Sequence, residues 1–326
     1  MINDPENVVA EMLEGFAKAN PSLEYFPEFE VITRREKKSA KVGLVSGGGS
    51  GHEPAHAGYV GRGMLDAAVS GDVFTSPSPD RVLKSIREAE SGRGVLLVIK
   101  NYTGDVMNFE MARDIARSEG IEAESVVVND DVAVPDSTYS AGRRGIAGTV
   151  FVHKIAGAKA EAGAPLAEVK EIAERVIANV RSMGMAMTPC TLPAAGRAGF
   201  SLGDGEIEIG MGIHGEPGVK RTGIMTAREL AKTMTEKILD DLGYAGSEAA
   251  LMINGLGGTP LMELCVLNGE VGKILAAARV EVHRTFIGNY MTSLEMAGAS
   301  VSLLRLDAEM KELLGRPCDA PAFKII

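Results

Sequence analysis

The segment Lys41–His56, KVGLVSGGGSGHEPAH, contains the pattern that decides the fold class. Its apolar first part, Lys41–Ser46, is typical of a buried β-strand, and the glycines after it predict a glycine-rich loop. Helix-like and strand-like patterns alternate further along, at Pro79–Glu90 (helix), Val95–Lys100 (strand), Val106–Glu119 (helix) and Glu124–Asn129 (strand). This alternation predicts an α/β fold with a largely parallel sheet.

The rest of the chain predicts a second α/β unit. A first helix is expected near the N-terminus, with Asp4 as its cap and Pro5 in its first turn. The remaining patterns are helices at Arg144–Gly163, Pro165–Met183, Thr226–Leu242, Pro260–Ala278 and Ala308–Leu314, and strands at Glu206–Gly212, Ala250–Asn254, Val280–Ile287 and Ala299–Leu306. A stretch rich in Gly, Met, Pro and Ala follows residue 183. We therefore expect two α/β domains, 1–183 and 184–326, each with a mostly parallel or mixed sheet flanked by helices.

Composition excludes several classes of protein. The 326 residues include 34 Lys and Arg against 44 Asp and Glu, a net charge of −10 with no basic cluster, so neither nucleic acid nor an anionic membrane is an expected partner. The three cysteines, Cys190, Cys265 and Cys318, form no C-x-x-C pair, which argues against a disulfide framework and a cysteine zinc site. The N-terminus has no signal-peptide pattern, and we expect a cytoplasmic protein.

The five histidines fall into two groups. His52, His56 and His214 lie in or beside glycine-rich turns, whereas His153 and His283 lie in apolar runs that favour a structural role. The string from His52 to His56 matches H-E-x-x-H, the motif of zinc-dependent hydrolases. That motif requires a helix, but here it directly follows a glycine-rich loop and contains proline. The zinc hydrolase is kept as an alternative, and no metal site is predicted.

Two polar segments follow neighbouring strands. Ser46–His52 offers backbone N–H groups to an oxygen-rich ligand such as a polyol, a keto-sugar or a phosphate, although a plain turn is also compatible with it. Lys100–Asp105 follows the next predicted strand, so Asp105 is expected to face the same crevice as His52. His214 follows the strand-like run Glu206–Gly212, and its neutral imidazole would be a nucleophile toward a carbonyl group. Its spacing alone does not establish that role.

Eight segments together resemble one known family. They are Ser46–Tyr59, Asp72–Pro79, Val95–Phe109, Asp130–Asp136, Ala141–Gly145, Gly210–Gly218, Asn254–Pro260 and Gly288–Met296. In this order they resemble the substrate-binding K subunits of dihydroxyacetone kinase, also called glycerone kinase, over nearly the whole chain.

The resemblance implies a homodimer that binds dihydroxyacetone as a hemiaminal on a histidine, here His214. It implies Asp105 as the base for the substrate hydroxyl, with His52 polarising the substrate or relaying a proton. The substrate contacts that it implies are Gly49, Ser50, Gly51, His52, Lys100 and Asp105.

The resemblance also implies partners. No cofactor is expected on this chain; ADP or ATP with Mg²⁺ is expected on a separate L subunit, recharged by an M subunit of the phosphoenolpyruvate phosphotransferase system. Such an enzyme makes dihydroxyacetone phosphate in glycerol metabolism. Direct exchange of ATP through the L subunit stays open, and so does erythrulose or glyceraldehyde as the preferred substrate. The alternative function is a dihydroxyacetone-binding coactivator of transcription without kinase activity.

Overall fold

The fold was examined in a computed structural model that describes residues 1–36, 39–135 and 140–326. Numbered along the chain, the helices are α1 (Val8–Ala19), α2 (Pro79–Ala89), α3 (Thr103–Ser118), α4 (Thr149–Glu161), α5 (Leu166–Asn179), α6 (Ala227–Asp241), α7 (Leu261–Ala277) and α8 (Ala308–Gly315). The strands are β1 (Leu23–Phe26), β2 (Val31–Arg34), β3 (Gly43–Ser50), β4 (Ala67–Val73), β5 (Val95–Lys100), β6 (Ala123–Val128), β7 (Val180–Ala186), β8 (Thr191–Leu192), β9 (Arg197–Ala198), β10 (Glu206–Ile209), β11 (Lys220–Gly223), β12 (Glu248–Gly255), β13 (Glu281–Gly288), β14 (Gly298–Arg305), β15 (Cys318–Ala320) and β16 (Phe323–Ile325). The predicted α/β class is confirmed.

The first sheet has six strands in the order β1-β2-β4-β3-β5-β6. Its four strands β4, β3, β5 and β6 are parallel, and β1 and β2 extend it in antiparallel pairing. Helix α3 begins at Thr103, earlier than predicted, so Asp105 lies in the first turn of a helix and not in a loop. At the N-terminus, α1 begins only at Val8, after a turn in which the Asp4 carboxylate accepts the Glu6 N–H, so Asp4 is not the cap of this helix.

The second sheet is mixed, in the order β11-β10-β7-β14-β12-β13, with only β12 and β13 parallel. Strand β7 corrects the sequence prediction, in which a helix continued to Met183. Its segment, VRSMGMA, has no alternation of polar and apolar residues because neighbours on both edges and both faces bury it. The expected boundary between residues 183 and 184 falls inside this strand. The division into 1–183 and 184–326 stays a prediction, and a boundary at the α5–β7 junction keeps the second sheet whole.

Helices α4 and α5 pack between the two sheets. All residues of α4 from Thr149 to Ala158 are buried, which explains why most of them are apolar around the whole helix. One hydrophobic cluster joins Leu96 of the first sheet, Phe151 of α4 and Met252 of the second sheet. Helices α2 and α3 cover the opposite face of the first sheet, and α6 and α7 that of the second. The shared core fixes the two sheets relative to each other. None of the helices in the described ranges is long and apolar enough to span a membrane.

His153 makes the core sensitive to acid. It is fully buried in α4, neither ring nitrogen has a hydrogen-bond partner among the described residues, and burial, with a smaller effect of Lys100, lowers its pKa to about 3. Because the folded-state pKa lies below the unfolded value near 6.5, the unfolded state takes up the proton first as the pH falls. The contribution of neutral His153 to the free energy of unfolding is fully present above about pH 6.5. It decreases by about 1.4 kcal/mol per pH unit towards pH 3.

We therefore compare the free energy of unfolding in urea at pH 7.5 and pH 5. The loss between these two pH values should be about 2 kcal/mol smaller in His153→Leu than in the wild type. The matched control is His283→Gln, because His283 is exposed on β13. An equal loss in the His153→Leu variant and the wild type would contradict this prediction.

Candidate functional site

The site begins where β3 and β5 separate. β3 pairs with β5 only from Gly43 to Ser46, while β5 continues to Lys100 alongside β6. The glycines after Ser46 were predicted to form a loop. They instead continue β3 as far as Ser50 by pairing with β4, a strand that the sequence analysis missed. The two neighbouring parallel strands therefore separate towards their carboxyl ends, which is where ligands bind in α/β sheets, and we call the space between these ends the groove.

Lys100 and Asp105 line this groove. Lys100 is fully buried, and its ammonium donates to the carbonyl oxygen of Gly47 at 3.1 Å and lies 3.6 Å from Oδ2 of Asp105. Burial lowers the pKa of Lys100, and Asp105 partly offsets that shift. Gly48, with φ +146°, leaves the room that both side chains need. A Cβ at this position would lie 2.4 Å from Lys100 Nζ and 3.1 Å from Asp105 Oδ2.

His52 and His214 meet across the junction of the two sheets. His52 follows β3, His214 lies between β10 and β11, and their Nε2 atoms are 3.0 Å apart. Nδ1 of His52 lies 2.8 Å from the carbonyl oxygen of Thr292, and Nδ1 of His214 lies 3.0 Å from Oε1 of Glu216. The backbone N–H groups of Thr292 and Leu294 donate to the carbonyls of His52 and Gly51, so a loop of the second sheet holds the end of β3.

Glu216 is a site residue that the sequence analysis missed. Burial alone would raise its pKa, but the charge interaction and hydrogen bond with His214 and the charge of the Arg144 guanidinium hold that pKa at about 2. Its Oε2 also accepts the backbone N–H of His214 at 2.8 Å. The sequence contained a signal for it, the short likeness between GHEP at 51–54 and HGEP at 214–217. The two strings share a carboxylate-to-backbone contact, because Glu53 accepts the N–H of Gly51, two residues earlier, as Glu216 accepts that of His214.

The partners of the two rings determine which of their nitrogens carries the proton. A carbonyl oxygen and an ionised carboxylate can only accept, so Nδ1 of both His52 and His214 carries the proton. The space between the two Nε2 atoms then holds at most one proton. Burial, followed by His214 and Lys100, lowers the pKa of His52 well below its usual value. The pair therefore presents an unprotonated ring nitrogen in a buried, polar site.

A buried ion pair supports the His214 loop. Arg144 and Asp131 are both fully buried with 2.7 Å between Nη2 and Oδ2, and Arg144 also donates to the carbonyl of Gly210 at 2.8 Å. Burial raises the pKa of Asp131 to about 6 against the opposing effect of Arg144. These residues belong to segments that carried the resemblance, but no role was predicted for them. Asp136, at the end of one such segment, lies outside the described residues.

Aromatic rings enclose the histidine pair. Phe74 stacks on His52 with 5.1 Å between ring centroids, and Tyr102 contacts the His214 ring edge-on at 4.4 Å. A Cβ at Gly51, where φ is +102°, would lie 2.6 Å from Phe74 Cε1, so glycine is needed there. The sequence analysis missed both aromatic residues because neither lies next to a histidine in the chain. They limit the access of water to the two Nε2 atoms.

The remaining predicted contacts lie at the end of β3. Ser50 is buried and its hydroxyl donates to the carbonyl of Gly71 at 2.8 Å. Gly49 packs closely against the segment that follows β4. A Cβ on Gly49 would lie 2.5 Å from the backbone nitrogen of Thr75 in that segment. The structure thus brings His52, Lys100, Asp105 and His214 around the end of this strand, and the substrate contacts themselves stay a prediction.

The H-E-x-x-H string does not form the helix that a zinc hydrolase requires. It follows β3 directly as a series of turns, with His52 directed to His214 and His56 to Lys100. Within the described ranges, no group of three or more His, Cys, Asp or Glu side chains is placed to hold a metal ion. The geometry that this alternative needs is missing because the glycine-rich strand continues almost to the motif.

The Dak1 domain family matches residues 14–322. The chain belongs to this family. A Dak1 relative from Listeria innocua, the dihydroxyacetone-binding subunit DhaK of PTS-dependent dihydroxyacetone kinase 1, is 54% identical over 326 residues, which cover 99% of each chain. The resemblance stated from the sequence is thereby confirmed.

Two solved Dak1 structures have the same fold. The dihydroxyacetone kinase of C. freundii superposes with a TM-score of 0.92 at 37% identity and covers 100% of this chain, which in turn covers 60% of that kinase. The dihydroxyacetone kinase operon co-activator Dha-DhaQ also gives a TM-score of 0.92, at 36% identity, and the match covers 97% of this chain and 98% of the co-activator. The fold is therefore common to kinases and to a co-activator.

Proposed function

We propose that this chain is the dihydroxyacetone-binding subunit of a phosphotransferase-type dihydroxyacetone kinase. The observation that carries the proposal is the orientation of His214, whose Nδ1 is fixed by ionised Glu216 while its Nε2 faces His52 at 3.0 Å. An imidazole held in this way is a nucleophile with a defined direction. The relative from Listeria innocua, which carries the same function in its name, supports the proposal over the full length of the chain.

The covalent step uses both histidines. Nε2 of His214 adds to the ketone carbon of dihydroxyacetone, and the π electrons of the carbonyl group move to its oxygen. One proton from solvent reaches the new alkoxide through His52 Nε2, which is unprotonated in the resting site and acts as a relay. The product is a hemiaminal on an imidazolium ring, whose charge is paired with Glu216. Glycerol has no electrophilic carbon and cannot form this bond, so the site distinguishes it from a ketone.

In this proposal, Asp105 is the base for the terminal hydroxyl. Anchoring the ketone at one end leaves its hydroxyl to be held near the Asp105 carboxylate, beside the Lys100 ammonium. Phosphoryl transfer depends mainly on positioning and charge stabilisation, so this chain supplies an oriented nucleophile. The nucleotide with Mg²⁺ would be carried by a separate L subunit, recharged by the M subunit, and the chain would act as a cytoplasmic homodimer.

A solved relative is described with a bound nucleotide. This chain covers 60% of the C. freundii kinase, and a second structure of that kinase is described as a complex with AMP-PNP and Mg²⁺. We propose that nucleotide binding in that kinase lies outside the region that matches this chain. In the phosphotransferase-type enzyme the L subunit would bind the nucleotide.

A coactivator is the second candidate, because Dha-DhaQ matches this chain over nearly its full length. Reconstitution with a purified L subunit and the phosphotransferase proteins separates the two functions. We expect phosphoenolpyruvate-dependent formation of dihydroxyacetone phosphate, and none when this chain is omitted. A covalent ketone adduct without any phosphorylated product would instead support the coactivator.

Gly48→Ala is expected to lower turnover about 10²-fold in this assay, because the new Cβ displaces the Lys100 ammonium from its position beside Asp105. The control is Gly92→Ala, which imposes a methyl group at φ +91° with no atom within 4 Å of it. The control should lose stability by about 1 kcal/mol and keep its turnover. Wild-type turnover in Gly48→Ala would show that the placement of Lys100 is not needed.

A further inference from the structure

His56, the second histidine of the H-E-x-x-H string, has no role in the mechanism above, but it contacts a residue that does. It is 5% exposed, and its Nε2 lies 3.0 Å from Lys100 Nζ. On the other side of the ring, Nδ1 lies 3.3 Å from Ser46 Oγ. The Ser46 hydroxyl donates to the carbonyl oxygen of Val98 at 2.7 Å. The imidazole thus connects β3 and β5 at the position where the two strands separate.

The direction of every hydrogen bond in this series is determined. An ammonium group only donates, so Nε2 of His56 accepts from Lys100, and its Nδ1 must carry the proton. That proton is donated to Ser46 Oγ, whose own hydrogen is directed to the Val98 carbonyl. Each atom therefore has one role, and only one tautomer of His56 satisfies all of the contacts.

We infer that His56 is a positioning residue that holds the Lys100 ammonium between the Gly47 carbonyl and Asp105. Lysine has a flexible four-carbon side chain, so a buried ammonium takes the position that its acceptors define. With His56 and Gly47 as two acceptors, the ammonium stays 3.6 Å from Asp105 Oδ2. Without His56, it would move onto the carboxylate and weaken it as a base. This inference rests on the proposed function, in which Asp105 is that base.

The surroundings keep His56 in the accepting form. Lys100 faces it from β5, Ser46 from β3, and His153 of α4 packs against its ring with 5.3 Å between centroids. Burial, followed by Lys100 and His153 and then by His52 of the same segment, lowers the pKa of His56 well below its usual value. Asp105 acts on it only through Lys100. The ring therefore stays neutral over the working range of pH.

The test compares His56→Leu with His56→Gln in the reconstituted phosphorylation assay. Leucine fills the space without an acceptor, whereas glutamine places an oxygen at about the reach of Nε2. We expect His56→Leu to lower kcat about 10- to 100-fold, with KM for dihydroxyacetone and the His214 adduct within about 3-fold of wild type. We expect His56→Gln to recover most of kcat. Wild-type kcat in His56→Leu, or an equal loss in both variants, would overturn the inference.

Ser46→Ala is the second variant, for use where His56→Leu does not fold. It removes the acceptor of the His56 Nδ1–H group and so loosens the ring, and we expect kcat to fall several-fold while the adduct on His214 persists. An unchanged kcat in Ser46→Ala would also overturn the inference. A wild-type protein that forms neither adduct nor product would defeat the proposed function itself. An active wild type beside unaffected variants would defeat only the role of His56.

Discussion

His214→Ala should abolish covalent capture of dihydroxyacetone and lower turnover by about 10³-fold, because the substrate then loses the bond that orients it. Weak, noncovalent binding should persist, since Lys100 and the end of β3 are unchanged. Native mass spectrometry with dihydroxyacetone measures the capture, and the reconstituted assay measures turnover. The matched control is His283→Ala, at an exposed position on β13. A variant that keeps the full adduct would show that another residue forms the bond.

Asp105→Asn should leave the adduct intact and lower turnover about 10²- to 10⁴-fold, the usual contribution of a general base. Asparagine keeps the size of the side chain but cannot take the hydroxyl proton. The control is Asp114→Asn in the same helix, where the carboxylate is 62% exposed.

Adduct and turnover measured on the same samples separate the two roles. Loss of both in Asp105→Asn would indicate a binding role for this residue. Turnover equal to that of the wild type would remove the assignment of Asp105 as base.

Three parallel strands of the first sheet, β3, β5 and β6, and the position of the groove could be predicted from sequence because the signals are local, whereas β1, β2 and β4 were not predicted. The apolar runs at β3 and β5, each followed by a polar or glycine-rich segment, predict parallel strands, and parallel strands bring their carboxyl ends to one edge. The contact between the end of β3 and the segment of Lys100 and Asp105 follows from that rule. The role of His214 did not follow from spacing and came from the resemblance.

The residues that were missed depend on contacts between distant parts of the chain. Glu216 acts through hydrogen bonds with His214 and the charge of buried Arg144, and Phe74 reaches His52 only because β4 pairs with β3. Strand β7 lacks a strand pattern because it is buried within the second sheet. Such positions are decided by tertiary packing, which overrides local propensity.

The H-E-x-x-H string is the reverse case, in which a sequence motif suggests a site that the structure does not form. Its spacing matches a metal site, but the backbone directs His52 towards the second sheet and His56 towards β5. A motif predicts chemistry only in the backbone geometry that it requires. Here the two histidines contact different partners, His214 and Lys100.

The central claim is that this site recognises a ketone by forming a bond with it. The most direct test is native mass spectrometry of the wild-type chain with dihydroxyacetone and, separately, with glycerol. The account predicts one retained dihydroxyacetone per chain and no retained glycerol. Failure to retain dihydroxyacetone, or equal retention of glycerol, would contradict it.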